Sequence, residues 1–324
     1  MIVTVTGASG YLGGAVAAAL VAAGHEVRTL QRRPSGVTGA TDVLGSVTDP
    51  AVVARAVDGA EGVIHLAAKV SLAGDPAEFD RVNVSGTRTV LDAAETAGVT
   101  RFVQISSPSV AHAGAALAGV GAEPASPADA RGEYARTKAE SELLALSRDS
   151  AAMPVVAIRP HLVWGPGDPQ LVARILDRAR RGRLPLLDGG RALIDTTYID
   201  NAASGIVAAL NRAEVAHGRA FVLTNGEPRP VGELLAGICT ASGVRPPAWS
   251  LPAGIARAAG SLIERVWAVR PGTDEPPMTR FLAEQLSTAH WFDQRETREA
   301  LDWAPTVSLD EGLARLAEHA AARA

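Results

Sequence analysis

Ile2-Val-Thr-Val-Thr6, followed without a break by Gly7-Ala-Ser-Gly10-Tyr-Leu-Gly13, decides the fold. Residues 2–5 form a short apolar run that ends in glycine. Residues 11–23 then carry helical spacing and stop at Gly24. The order is strand, tight turn, helix. Gly7 permits the turn, Gly10 lets backbone approach a pyrophosphate, and Gly13 lets helix and strand pack closely. The helix N-terminus offers free N–H groups and a positive dipole end to that anion. Ser9, Tyr11 and Leu12 share the loop and are further candidate contacts, Tyr11 reading more as a packing residue than as a ligand. Glycine triplets alone are common in turns; the strand before and the helix after make this one specific.

Outward from this loop, strand and helix patterns alternate. Residues 27–30, 63–66, 102–105 and 155–158 read as strands, and 51–57, 79–97 and 132–147 as helices. Such alternation builds a parallel sheet covered on both faces, and right-handed crossovers make it a Rossmann-type doubly wound α/β fold. After Arg159-Pro160 the texture changes. Proline and glycine become frequent, and 171–180, 201–210, 231–241, 253–266 and 309–321 read as helices. The expected organisation is a dinucleotide-binding domain over 1–160, with 196–212 returning to it. A smaller, mainly helical substrate domain takes up 161–324.

Composition narrows the function. Hydrophobic residues make up 47% of the 324 and charged residues 20%, enough apolar material for a sizeable core. The net charge of −4 gives no basic field for nucleic acid. A single cysteine, Cys239, excludes an internal disulfide and thiolate zinc clusters. Histidines do not fall at metal-ligand spacing, so no metal site is expected. The N-terminus reads as a strand rather than a signal peptide, and no apolar run is long enough to span a bilayer. A cytoplasmic location is expected.

Cofactor choice turns on the end of the second strand, Thr29-Leu-Gln-Arg-Arg33. A carboxylate there would grip the ribose 2′-OH of NAD. Gln31 stands in its place, and Arg32 and Arg33 offer charge-assisted contacts to a 2′-phosphate. The pattern predicts NADP(H), with NAD(H) as the alternative.

Tyr134-Ala-Arg-Thr-Lys138 places a phenol and an ammonium at i and i+4 on one helical face. A nearby cation favours the phenolate, and in the reductive direction the phenol serves as a general acid. Upstream, Ile105-Ser-Ser-Pro-Ser109 lies at the C-terminal end of a strand, where doubly wound sheets bind ligands. A serine there can hold the substrate oxygen while Tyr134 transfers the proton.

Thr6-Gly-x-x-Gly-x-x-Gly13, His65-Leu-Ala-Ala68, Asn83-Val-Ser-Gly-Thr87, Ser106-Ser107, Tyr134-x-x-x-Lys138 and Arg159-Pro160 together resemble an extended short-chain dehydrogenase/reductase. The resemblance implies that Ser107, Tyr134 and Lys138 are the catalytic set and that Lys138 also holds the nicotinamide ribose. It makes Asn83 a support of the active-site backbone. Leu66, Ala67 and Ala68 would line the cofactor, with Pro160 and Val163 beside the nicotinamide. Gly45-Ser46-Val47 stands where the family often has Gly-Asp-Val or Gly-Asp-Leu, leaving Ser46 or the backbone of Val47 to meet the adenine.

Within the 3β-hydroxysteroid dehydrogenase branch, Val155–Asp168, Asp195-Thr-Thr-Tyr-Ile-Asp-Asn201, Thr224-Asn-Gly-Glu-Pro228, 276–286 and His290-Trp-Phe292 resemble the bacterial long-chain olefin pathway reductases. That resemblance implies NADPH-dependent reduction of 2-alkyl-3-oxoalkanoates. Steroid and sterol dehydrogenases share much of the same C-terminal pattern and form the rival reading. A dinucleotide sensor without catalysis is the rival from another class. The expected substrate is small and hydrophobic, and the expected assembly a homo-oligomer. Residues 251–267 read as an apolar helix, either a lid touching a membrane surface or partner enzyme, or a core helix. Ser109 and His112 could face the substrate, whereas Arg159 and Asp200 read as structural ion-pair residues.

Overall fold

The structure is a computed structural model that describes residues 1–71, 74–111, 116–269 and 280–323. Seven parallel strands form the main sheet. Their order is Arg219–Leu223, Val155–Pro160, Arg101–Ile105, Gly62–His65, Ile2–Thr6, Glu26–Gln31, Ala40–Leu44. From the interior strand Ile2–Thr6 the chain first builds one flank, then crosses to build the other. Ile2–Thr6 therefore pairs with Glu26–Gln31 on one side and Gly62–His65 on the other. The switch point opens a crevice beyond the C-terminal ends of these strands, where open α/β sheets place ligands.

Both faces of the sheet are buried, which explains the strands' apolar character. Val3, Val5, Ile64 and Ile158 face a core closed by the helices Tyr11–Ala22 and Ile199–Asn211. Leu30, Val63 and Phe102 face another, closed by Pro50–Val57 and Gly86–Ala97. Residues 199–223 thus lie with the nucleotide side: one helix covers the sheet and Arg219–Leu223 extends it.

The single helix expected over 79–97 is broken into three pieces. Pro76–Phe79 leads into a π-helical turn at Asp80–Ser85 and then into Gly86–Ala97. The wide turn sits at Asn83, and π-turns commonly mark sites where a side chain must be re-aimed.

On the substrate side, helices Leu171–Arg180, Val231–Ala241 and Leu309–Ala321 share an apolar cluster with Trp164 and Tyr198. To this the structure adds a four-stranded sheet of Arg229–Pro230, Leu193–Ile194, His290–Phe292 and Leu117–Val120. Leu117–Val120 comes from the sequence between the candidate serine and tyrosine, so the active-site chain itself contributes a strand to the substrate wall. No helix among the described residues is long and apolar enough to cross a membrane. Helix Ala253–Val269 packs against Arg280–Ser287 with Ala253 and Ala256 buried, while Ile255 and Leu262 face outward.

Candidate active site

Gly7 turns the chain at φ +80°, and a Cβ there would lie 2.9 Å from the Ala67 nitrogen. On Gly13 a Cβ would fall 2.3 Å from the Gly7 carbonyl oxygen, so strand turn and helix meet too closely for any side chain. Gly10 differs. A Cβ there meets only the Gly7 oxygen, at 3.2 Å, and otherwise enters open space at the helix N-terminus. No side chain caps that terminus. The arrangement fits a pyrophosphate, which needs uncapped N–H groups and backbone that can be approached.

Ser9 and Gly10 are exposed on this loop. Tyr11 instead packs its ring against the substrate-side cluster and donates its hydroxyl to the Pro166 carbonyl at 3.2 Å. Leu12 packs into the cores on both sides. Its side chain is therefore structural, leaving the backbone N–H for an anion.

A buried polar chain ties the loop to the neighbouring strand end. Thr6 Oγ1 accepts the backbone N–H groups of Leu66 and Ala67 at 3.1 and 3.0 Å and pairs with His65 Nδ1 at 2.7 Å. His65 Nε2 meets Thr87 Oγ1 at 3.0 Å, and Thr87 donates to the Asn83 carbonyl at 2.6 Å. Burial, with a smaller push from Lys138, lowers the His65 pKa to about 3, so the imidazole stays neutral. Asn83 Oδ1 accepts from Lys69 N at 2.7 Å. Its Nδ2 donates to Lys69 O and, at 3.0 Å, to Thr137 Oγ1 on the helix Glu133–Leu146. Asn83 thus fastens the 66–69 backbone to the helix that carries Tyr134 and Lys138.

At the end of the second strand, Gln31 is buried and donates to Thr29 Oγ1 and Asp42 Oδ1, both at 3.0 Å. Its Oε1 is buried without a partner among the described residues. Arg32 and Arg33 are exposed; the Arg32 charge acts on Glu78, which pairs with Lys69. Ser46 turns its hydroxyl toward Thr48 Oγ1 at 2.8 Å, and Val47 is buried beneath Gly86.

Ser107 and Tyr134 line one cavity, and the Ser107 hydroxyl lies close enough to act on the Tyr134 phenol. Ser109 donates to Ser107 Oγ through its hydroxyl at 2.9 Å and its backbone N–H at 3.3 Å. Lys138 is buried and donates to the carbonyl of Ile105. Burial lowers its pKa to about 8, against an opposing pull from Glu142. The expectation that this ammonium depresses the phenol is corrected here. Burial raises the Tyr134 pKa, and the neighbouring Ser107 hydroxyl opposes that shift only in part. A phenol that holds its proton suits proton donation. Beneath the site, Arg159 binds Glu142 in a buried pair, Nε to Oε2 at 2.8 Å, joining the strand Val155–Pro160 to the Tyr134 helix. Asp200 pairs with Arg315 at 2.8 Å on the surface.

The cavity measures about 240 Å³. Beyond the two hydroxyls its walls include Leu117, Leu162, Ile175, Leu234, Leu286 and Phe292. Pro160 lines it, whereas Val163 pairs with Thr197 in a short strand outside it. His161 and His290 also face it, with Nε2 and Nδ1 2.9 Å apart, a pairing across 129 residues that no local pattern signals. His112 lies outside the described residues.

Residues 3–224 match the model of the NAD dependent epimerase/dehydratase family, and the chain belongs to that family. It is an oxidoreductase-type chain with a nicotinamide dinucleotide site. Over its full length it is 39% identical to the 2-alkyl-3-oxoalkanoate reductase of Stenotrophomonas maltophilia, covering 99% of this chain and 100% of the relative. The enzyme of the same name from Shewanella oneidensis is 35% identical, over 96% of this chain and 84% of its own. Among solved structures, a short-chain dehydrogenase/reductase superfamily protein from Agrobacterium tumefaciens with bound NAD superimposes with a TM-score of 0.76. It is 25% identical, over 100% of this chain and 98% of that one.

Proposed function

We propose that the protein reduces the 3-oxo group of a 2-alkyl-3-oxoalkanoate to the secondary alcohol with NADPH, in long-chain olefin formation. The observation that carries this is the Ser107–Tyr134 hydroxyl pair set in an otherwise largely apolar cavity. Such a substrate can present its ketone oxygen to this pair and bury its hydrocarbon arms against the apolar walls. The whole-chain identity with the Stenotrophomonas reductase supports the same substrate class.

When bound, the reduced nicotinamide supplies the hydride. The chain's own residues handle the oxygen. Ser107, held by Ser109, orients the carbonyl, and Tyr134, kept protonated by burial, gives it a proton. Lys138 stands at the Ile105 carbonyl, one helical turn from Tyr134, where its ammonium can reach ribose hydroxyls. The turn shaped by Gly7, Gly10 and Gly13 would hold the pyrophosphate, Ala67 and Ala68 would line the cofactor, and Arg32 with Arg33 would take a 2′-phosphate.

The test is absorbance at the reduced nicotinamide band with a synthetic 2-alkyl-3-oxo acid and a panel of 3β-hydroxysteroids, each with both cofactors. Reduction of the keto acid, with NADPH preferred by about tenfold or more, is the expected result. Turnover of steroids alone with NAD would replace this reading, and no turnover of either would favour a dinucleotide sensor.

A further inference from the structure

The cavity that holds Ser107 and Tyr134 has a neighbour of nearly equal size, about 230 Å³ against 240 Å³. Four apolar side chains, Leu171, Ile175, Leu235 and Leu286, line both. The two spaces are therefore chambers divided by hydrocarbon alone among the described residues. Only the first contains the hydroxyl pair. The second continues along helix Leu171–Arg180, whose Leu171, Arg174, Ile175 and Arg178 share one face at i, i+3, i+4 and i+7. Leu184 also lines it and is buried. Arg174, which also lines it, is exposed.

We propose that this second chamber is an alkyl subsite: it takes one hydrocarbon arm of a two-armed β-keto acid while the other arm stays in the first chamber. The inference rests on the reductase reading above and adds to it where the arms go. A linear substrate would leave one chamber unfilled. A branched one, with its ketone at Ser107 and Tyr134 and arms of similar length, fills both. Burying each arm against Leu and Ile walls supplies binding that the polar end of the site does not.

The experiment uses synthetic 2-alkyl-3-oxo acids in which the two arms are lengthened independently, with kcat/KM measured by NADPH consumption. Leu184→Phe narrows the second chamber without touching the hydroxyl pair. It should lower kcat/KM for extension of one arm by about tenfold or more, the scale set by one methylene in an apolar pocket, and leave extension of the other arm nearly unchanged. Leu184→Ala, which guards against a misfolded Phe variant, should shift the optimum of that same arm to longer chains. An equal response of both arms in both variants, with wild-type turnover intact, would overturn the two-chamber assignment and leave the reductase reading standing. Absence of turnover in the wild type would instead strike the reductase reading itself.

Discussion

The nucleotide side and the substrate side hold their ligands by different means. On the nucleotide side, single atoms decide. A Cβ on Gly13 would sit 2.3 Å from a carbonyl oxygen; the Thr6, His65 and Thr87 side chains form a hydrogen-bonded chain that ends on the Asn83 carbonyl, and Thr6 with the Asn83 amide fixes the 66–69 backbone. On the substrate side, volume decides. Leucines and isoleucines from elements far apart in the chain enclose two chambers, and any of several apolar side chains would serve at each position. Changes on the nucleotide side should therefore act nearly all-or-none, and changes on the substrate side should act by degrees.

The largest effect is expected at the seam between them. Tyr134→Phe should lower kcat by at least about 100-fold, the scale of a positioned acid, while NADPH affinity stays near wild type by calorimetry. Near-normal turnover would remove the hydroxyl pair as proton source. Next comes the glycine contrast. Gly10→Val should melt close to wild type yet lose NADPH binding, because its side chain enters the anion's space rather than the fold. Gly13→Val should fail to fold stably. Normal NADPH affinity in a folded Gly10→Val would break the comparison on the nucleotide side.

A smaller effect tests the charged corner. Removing both Arg32 and Arg33 by alanine should cut kcat/KM for NADPH about ten- to a hundredfold. That is the scale of a charge-assisted bond of about 1.5–3 kcal/mol, and NADH use should change little. Because both arginines are exposed, added salt should erode the proposed NADPH preference. Indifference of the variant would make them solvated surface charges.

The smallest effect is graded by pH. With the Lys138 pKa near 8, its ammonium is lost as pH rises through that value, and kcat/KM for reduction should decline above it. Stability should move the other way. Between about 8 and the ordinary lysine value of 10.5 the unfolded chain binds more protons than the folded one, so unfolding free energy rises with pH across that window. Denaturant melts at the two ends of the window, set beside the pH–rate profile, check both signs. Parallel decline of rate and stability would assign the titration elsewhere.

What was legible follows the same division. The glycine loop, the Tyr134–Lys138 helix and the strand-end serines are constrained atom by atom, so they left a spacing that can be read locally. Ala40–Leu44 escaped because it is an edge strand with little burial and hence no apolar run. Leu117–Val120 and His290–Phe292 escaped because short strands carry no period, and their pairing is set by tertiary contact. The His161–His290 contact and the Ser109–Ser107 bond depend on side chains meeting only after folding. The rise of the Tyr134 pKa depends on burial, which a pair of residues at i and i+4 does not report.

Synthesis imposes its own order on this topology. Helix Tyr11–Ala22 buries Val16, Ala17 and Leu20 partly against Ile199–Asn211, a segment made long after it. At roughly 5–20 residues per second, the first helix waits on the order of 10–40 s for that cover. The sheet is likewise incomplete until its edge strand Arg219–Leu223 emerges. During that interval the apolar stripe of the first helix is exposed beside a half-built parallel sheet. The chain's vulnerability to aggregation is therefore concentrated in the time before residue 223 leaves the ribosome, and a truncation ending before Ile199 should be captured by chaperones rather than fold.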